Sequence, residues 1–183
     1  MVRTDDDTQS HDGERRSRLR QYQVQLLERM QAAQGAAPAA GRELGVLVGA
    51  RHCLLDLTQI GEIVPQQAIA PVPLTQPWYL GLANLRGSLT GVVDLARYLG
   101  DAPALPGPET RLLTFSATLG LPCALQATRV LGLRRLDDMQ PAAATADDPA
   151  WCAGRHADAD GQAWLRLDLA LLVREARFLQ IGV

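Results

Sequence analysis

The chain reads as a mainly β protein: two small barrels with short helices, preceded by an amphipathic N-terminal helix. Three observations carry that reading. From Leu44 onward, short apolar runs alternate with turn residues, the pattern of short strands. Two groups of residues recur along the chain. Cys53-x-Leu55-x-x-Thr58-x-Ile60 returns 70 positions later as Cys123-x-Leu125-x-x-Thr128-x-Val130, and Val93-Asp94-Leu95-Ala96 returns 74 positions later as Leu167-Asp168-Leu169-Ala170. A near-constant offset in two places predicts two related units, about 44–100 and 110–180. Ahead of both units, Leu19, Tyr22, Leu26, Met30 and Ala33 fall three or four apart, on one face of a helix.

In order, residues 1–16 form a charged tail with Asp5 to Asp7 and Arg15-Arg16, expected to be disordered. The helix runs over 17–34, and the stretch 35–43 around Pro38 is a linker. Gly45 to Gly49 and His52 to Leu57 are predicted strands joined at Ala50-Arg51, with a third from Gln59 to Val64. Pro65, Pro71, Pro73 and Pro77 make an extended connection. Asn84 and Gly87 are turn residues flanking Leu85-Arg86, followed by a strand whose apolar members are Leu89, Val92 and Val93. Asp101 to Pro108 links the units. Leu112 to Ala117, Leu121 to Ala127 and Val130 to Leu136 continue as strands, and Asp137 to Ala150 is a polar loop. Trp151 to His156 and Gln162 to Leu167 form a hairpin around Asp158-Ala159-Asp160-Gly161. A helix near 169–179 closes the chain, with Leu169, Leu172, Val173, Ala176 and Leu179 on one face. Asp94 and Asp168 each stand where a strand runs into a helix, as N-caps do.

Composition narrows the function. With 183 residues and 47% apolar content the chain can bury a real core. A net charge of −2 offers no electrostatic case for nucleic acid. All 18 basic residues are arginine, which reads as genome composition bias. No apolar run is long enough to span a membrane, and the polar start Met1-Val2-Arg3-Thr4-Asp5 lacks the apolar core of a signal peptide. Three widely spaced cysteines, Cys53, Cys123 and Cys152, read as reduced thiols of a cytoplasmic protein.

Chemical motifs are sparse. His52-Cys53 and Cys152-x3-His156 are isolated pairs without the close ligand spacing of zinc sites. Asp158-Ala159-Asp160-Gly161 begins like a calcium loop, lacks its downstream Glu and sits where a hairpin needs a turn. No nucleophile elbow, phosphate loop or dinucleotide fingerprint is present. Neither catalytic, cofactor nor metal residues are expected. An enzyme using Cys53 or Cys152 stands as the competing reading. The feature that stands out is Arg86. It sits in a turn at the end of a strand, where a planar, permanently charged fork can meet a carboxylate. Asp94-Leu95-Ala96 has an echo in the second unit and Asn84-Leu85-Arg86-Gly87 has none. The unrepeated turn is therefore the place to look for binding.

Gly81-x-x-Asn84-Leu85-Arg86-Gly87, followed by an apolar strand ending in Val93-Asp94-Leu95, resembles the signature of the CheW-like adaptor domain of bacterial chemosensory systems. The resemblance covers roughly residues 44–180. It implies two five-stranded barrels similar to each other and to SH3 barrels. With the N-terminal helix added, the chain looks most like the adaptor of type IV pilus (twitching) systems, the PilI type. The implied role is a non-enzymatic scaffold joining a methyl-accepting chemoreceptor to a CheA-type histidine kinase. A flagellar chemotaxis adaptor and a free-standing kinase regulatory domain are the alternatives within the family. The resemblance also implies that Glu62 faces Arg86, and that Ile60, Glu62, Gly81, Asn84, Arg86 and Gly87 are partner-contact positions. The N-terminal helix either packs on its own barrel or docks a partner helix.

Overall fold

The computed structural model describes residues 42–146 and 148–183. The tail at 1–16, the helix at 17–34 and most of the linker at 35–43 lie outside the described residues. Arg42 and Glu43, assigned to that linker, instead open the first strand. Eleven strands follow among the described residues: β1 Arg42–Val48, β2 Arg51–Asp56, β3 Ile60–Pro65, β4 Tyr79–Leu85, β5 Ser88–Val93, β6 Arg111–Phe115, β7 Cys123–Ala127, β8 Arg129–Arg135, β9 Gln140–Ala142, β10 Cys152–Ala157 and β11 Ala163–Leu167. Three short helices are α1 Leu95–Tyr98, α2 Leu169–Leu172 and α3 Ala176–Leu179.

The strands form two sheets, but the sheets do not follow the chain. A six-stranded sheet has the order β8-β1-β2-β11-β10-β9, and a five-stranded sheet has the order β3-β6-β7-β5-β4. Each sheet takes an N-terminal hairpin from one half of the chain and the remaining strands from the other half. The expected contiguous units at 44–100 and 110–180 are thus interlocked, and one sheet gains the short strand β9. Polar, alanine-rich sequence gave no hint of β9, which pairs with β10 through Ala142 opposite Arg155.

The internal repeat survives this exchange and grows. Cys53 pairs in parallel with Leu165 of β11, and Cys123 pairs in parallel with Gly91 of β5. Both capping aspartates act as expected: Asp94 Oδ1 accepts from the Arg97 amide at 3.2 Å, and Asp168 Oδ1 from the Ala170 amide at 2.9 Å. Each also donates its own amide to a tryptophan carbonyl, Asp94 to Trp78 at 2.8 Å and Asp168 to Trp151 at 2.9 Å. One to three residues after each tryptophan the ladder carries a bulge, between Tyr79 and Gly81 in β4 and between Cys152 and Gly154 in β10. Both glycines have left-side angles, φ 130° and 143°.

The main core lies between the two sheets. It joins Val46, Cys53 and Leu55 of one sheet to Val93, Leu113 and Leu125 of the other, with Trp78, Trp151 and Phe178. Because side chains alternate along a strand, the opposite faces build smaller cores. Val64, Leu85, Val92, Leu112 and Ala124 fill the inside of the five-stranded sheet. Leu54, Met139 and Trp164 fill the six-stranded one. Burial on both faces explains why the central strands read as continuous apolar runs.

Two expectations need correction. Leu89, an apolar member of the strand pattern after the turn, is 65% exposed, and its neighbour Thr90 takes the inward position. The closing helix is split into α2 and α3, and Phe178 provides the second anchor in place of Leu179. Phe178 stacks on Trp78 with ring centroids 5.5 Å apart. Within the described residues no helix is long and apolar enough to cross a membrane.

Candidate functional site

β4 and β5 are joined by a two-residue turn, Arg86-Gly87, between paired Leu85 and Ser88. Both turn residues have positive φ, 51° for Arg86 and 87° for Gly87. That is the backbone of a type I′ turn, whose twist matches the strands it connects. Asn84 lies within β4, one residue before its end, instead of entering the turn. Its Oδ1 accepts from the Gly87 amide at 2.8 Å and holds the turn closed.

Across from this turn stands Glu62. The Arg86 Nε lies 3.0 Å from Glu62 Oε2, and Nη1 donates to Oε1 at 3.1 Å, a two-pronged pairing. β3 and β4 are the two outer strands of the five-stranded sheet, so the pair bridges its open seam. A bulge between Ile60 and Ile63 positions Glu62, whose amide donates to Thr114 Oγ1 at 2.7 Å. Both partners stay in solvent, with side chains 74% and 48% exposed for Arg86 and Glu62. An ion pair that open adds little to stability, and both groups remain available to a third.

Next to the pair lies a groove of about 280 Å³. Leu85, Ser88 and Thr90 form one wall, and Thr114, Phe115 and Pro122 form another. The second wall belongs to the other half of the chain, placed here by the hairpin exchange. Sequence reading missed these residues because nothing local ties them to Arg86.

Of the six singled-out positions, Glu62, Asn84, Arg86 and Gly87 meet at this hairpin. Ile60 is half-buried against the main core. Gly81 is buried at the far end of β4. A Cβ there would stand 2.1 Å from the Ala70 carbonyl oxygen. Ala70 and Leu82 exchange backbone hydrogen bonds of 2.8 and 2.9 Å just beside it. Gly81 therefore serves this close backbone approach and offers no surface to a partner.

The cysteines present a different environment. Burial pushes the Cys53 and Cys123 thiols up to about 12, far from the range of a nucleophilic thiolate. Among the described residues no three His, Cys, Asp or Glu side chains group together as a metal site would need. The Asp158 hairpin is a turn held by its own side chain, which accepts from the Gln162 amide at 2.9 Å and from Trp164 Nε1 at 2.9 Å.

The family model of the CheW-like domain matches residues 43–177. The chain belongs to the CheW-like domain family. Among curated relatives, Protein FrzA of Myxococcus xanthus is 35% identical over 75 residues, covering 41% of this chain and 46% of FrzA. Protein PilI of Pseudomonas aeruginosa is 29% identical over 68 residues, covering 37% of this chain and 38% of PilI. The matched stretches span less than half the length of either relative. The CheW-like fold is also seen in the crystal structure of the scaffolding protein TtCheW from Thermoanaerobacter tengcongensis. That structure superposes with a TM-score of 0.59 at 21% identity, covering 69% of this chain and 88% of the other. In this CheW-like domain the Arg86–Glu62 pair marks the exposed end of the five-stranded sheet.

Proposed function

We propose that this chain is a cytoplasmic, non-enzymatic scaffold that couples a methyl-accepting chemoreceptor to a CheA-type histidine kinase, in a pathway controlling type IV pilus twitching motility. The observation that carries the reading is the Arg86–Glu62 pair. It is an exposed, two-pronged ion pair beside a groove, in a domain of the CheW-like family. The similarity to PilI supports the pilus assignment, and the similarity to FrzA supports chemosensory signalling more broadly. Glu62, Arg86, Asn84 and Gly87 form the receptor-contact surface in this reading, with Ile60 at its margin. Arg86 supplies a planar charged fork that an acidic side chain or a helix C-terminus can accept. The kinase's regulatory domain docks on a separate face. Signal passes as a change of relative placement, and arrays of such contacts gain strength through multivalency.

The test is a pull-down from the native cell with the wild-type chain and with Arg86→Ala. Wild type should recover a receptor and a kinase, and the variant should recover the kinase with less receptor. Equal receptor recovery by both proteins would refute the role given to Arg86.

A further inference from the structure

Glu62 reaches Arg86 from an irregular stretch of β3. Ile60 pairs with Phe115 and Ile63 with Leu113, so Gly61 and Glu62 together face the single residue Thr114. A bulge of this kind leaves its extra residue without ladder bonds and re-aims a side chain. Here one hydroxyl stands in for those bonds. Thr114 Oγ1 accepts from the Glu62 amide at 2.7 Å and donates to the Glu62 carbonyl at 3.4 Å. Both backbone groups of Glu62 are thus held by one side chain. Gly61 fits this arrangement. A Cβ there would stand 2.8 Å from Thr114 Oγ1 and 3.1 Å from the Phe115 carbonyl oxygen, so glycine leaves the hydroxyl room to reach Glu62.

Thr114 comes from β6, 52 residues further along the chain, and its side chain lines the Arg86 groove. Branching at Cβ keeps its χ1 stiff and so fixes the direction of the hydroxyl. The Glu62 carboxylate, by contrast, is bonded among the described residues by Arg86 alone. Its direction is therefore set through the backbone, where Thr114 grips it.

We infer that Thr114 is a positioning residue: its hydroxyl fixes the β3 bulge so that the Glu62 carboxylate meets the Arg86 fork. The pair then presents a single geometry, and a partner that binds it has less ordering to impose. For the receptor, this rests on the contact role proposed above for Arg86. Two substitutions separate the hydroxyl from the shape of the side chain. Serine keeps the hydroxyl and loses a methyl group, and valine keeps the shape and loses the hydroxyl. A residue serving only the strand would favour valine, because β-branched side chains suit strands. A positioning hydroxyl demands the reverse.

The full ¹⁵N-labelled chain reads this through the Arg86 Nε–H cross-peak, with Glu62→Gln marking where that peak lies when the ion pair is lost. Thr114→Val should move the peak toward the Glu62→Gln position, and Thr114→Ser should leave it in place. Receptor recovery from the native cell should fall roughly three- to tenfold for Thr114→Val, the worth of one hydrogen bond, and hold at the wild-type level for Thr114→Ser. Glu62 is exposed, so water can take over its backbone bonds and Thr114→Val should fold. Gly61→Ala, which crowds the hydroxyl, should move the peak in the same direction and gives a second decision. The proposal is overturned if the peak stays in place in Thr114→Val or in a folded Gly61→Ala, or if Thr114→Ser moves it as far as Thr114→Val does. It is overturned as well if Thr114→Val loses receptor with the peak unmoved, since Thr114 would then touch the receptor directly. If Arg86→Ala recovers receptor as well as wild type, the receptor reading falls, and the cross-peak alone decides the role of Thr114.

Discussion

Arg86 occupies a left-handed backbone conformation that asparagine or glycine adopts more readily. The site thus keeps a residue that its turn does not favour, and the exposed ion pair with Glu62 does not offset that in stability. Asparagine would suit the turn better and cannot carry the charge. Arg86→Asn should leave stability within about 1 kcal/mol of wild type by chemical denaturation. The same variant should lose receptor capture as fully as Arg86→Ala. A large drop in stability would mean that the ion pair holds the seam. Asp148 illustrates the contrasting case of a charge committed to the fold. Its carboxylate is gripped by the Arg155 guanidinium and accepts from the Thr145 amide at 2.8 Å. The hydrogen bonds from Arg155 first, then from Thr145, hold its carboxyl well below the ordinary value of 3.8. A depressed folded value means that the contribution is complete above 3.8 and fades as pH falls through the lowered value. Asp148→Asn should therefore melt lower than wild type at pH 7, and the gap should narrow as the solution is acidified below about pH 4. A gap that stays constant with pH in thermal melts would count against the pairing.

Repeated elements separate architecture from binding. Gly81 and Gly154 sit at matching bulges, so Gly81 belongs to the shared design of both sheets. Gly81→Ala would drive a Cβ against the Ala70 carbonyl and should cost about 2 kcal/mol or more. Gly87→Ala meets open space and should cost about 1–2 kcal/mol, through backbone angle alone. Urea denaturation of the two variants would rank them, and the reverse order would overturn this account. Strand positions were largely legible, because turn residues punctuate short apolar runs and the inner strands are apolar throughout. Asp94 and Asp168 were readable as caps for the same local reason. The matching tryptophans, Trp78 and Trp151, each stand three residues before a bulge glycine, Gly81 and Gly154, but a two-residue match of this kind is too short to stand out in sequence. The break between α2 and α3 was hidden by a continuous apolar spacing that also suits one longer helix. Arg86 was legible as a candidate since it lies in a turn without an echo. The groove beside it was not, because half its wall comes from β6 and β7.

The hairpin exchange governs the whole molecule. β1–β2 completes the sheet made mostly by the second half, and β6–β7 completes the sheet made by the first. Neither half owns a finished sheet, and the main core is shared by both. Fragments 42–105 and 106–183, produced separately, should each be unfolded by circular dichroism, and mixing them should restore strand signal and a cooperative melt. A fragment that folds alone would show that its strands can pair without the exchange. The two recurring residue groups disclosed that the chain is doubled, yet such patterns record local geometry and not which hairpin crosses over. Consider last what this means at the ribosome. Cys53 finds its parallel partner only at Leu165. The β1–β2 hairpin must wait for β11, with its apolar faces open to water and to other nascent chains. Long-range parallel pairing of this kind is slow to form and prone to aggregate on the way. The supply of working protein in a cell then depends on how well chaperones shelter β1 and β2 until β11 is made.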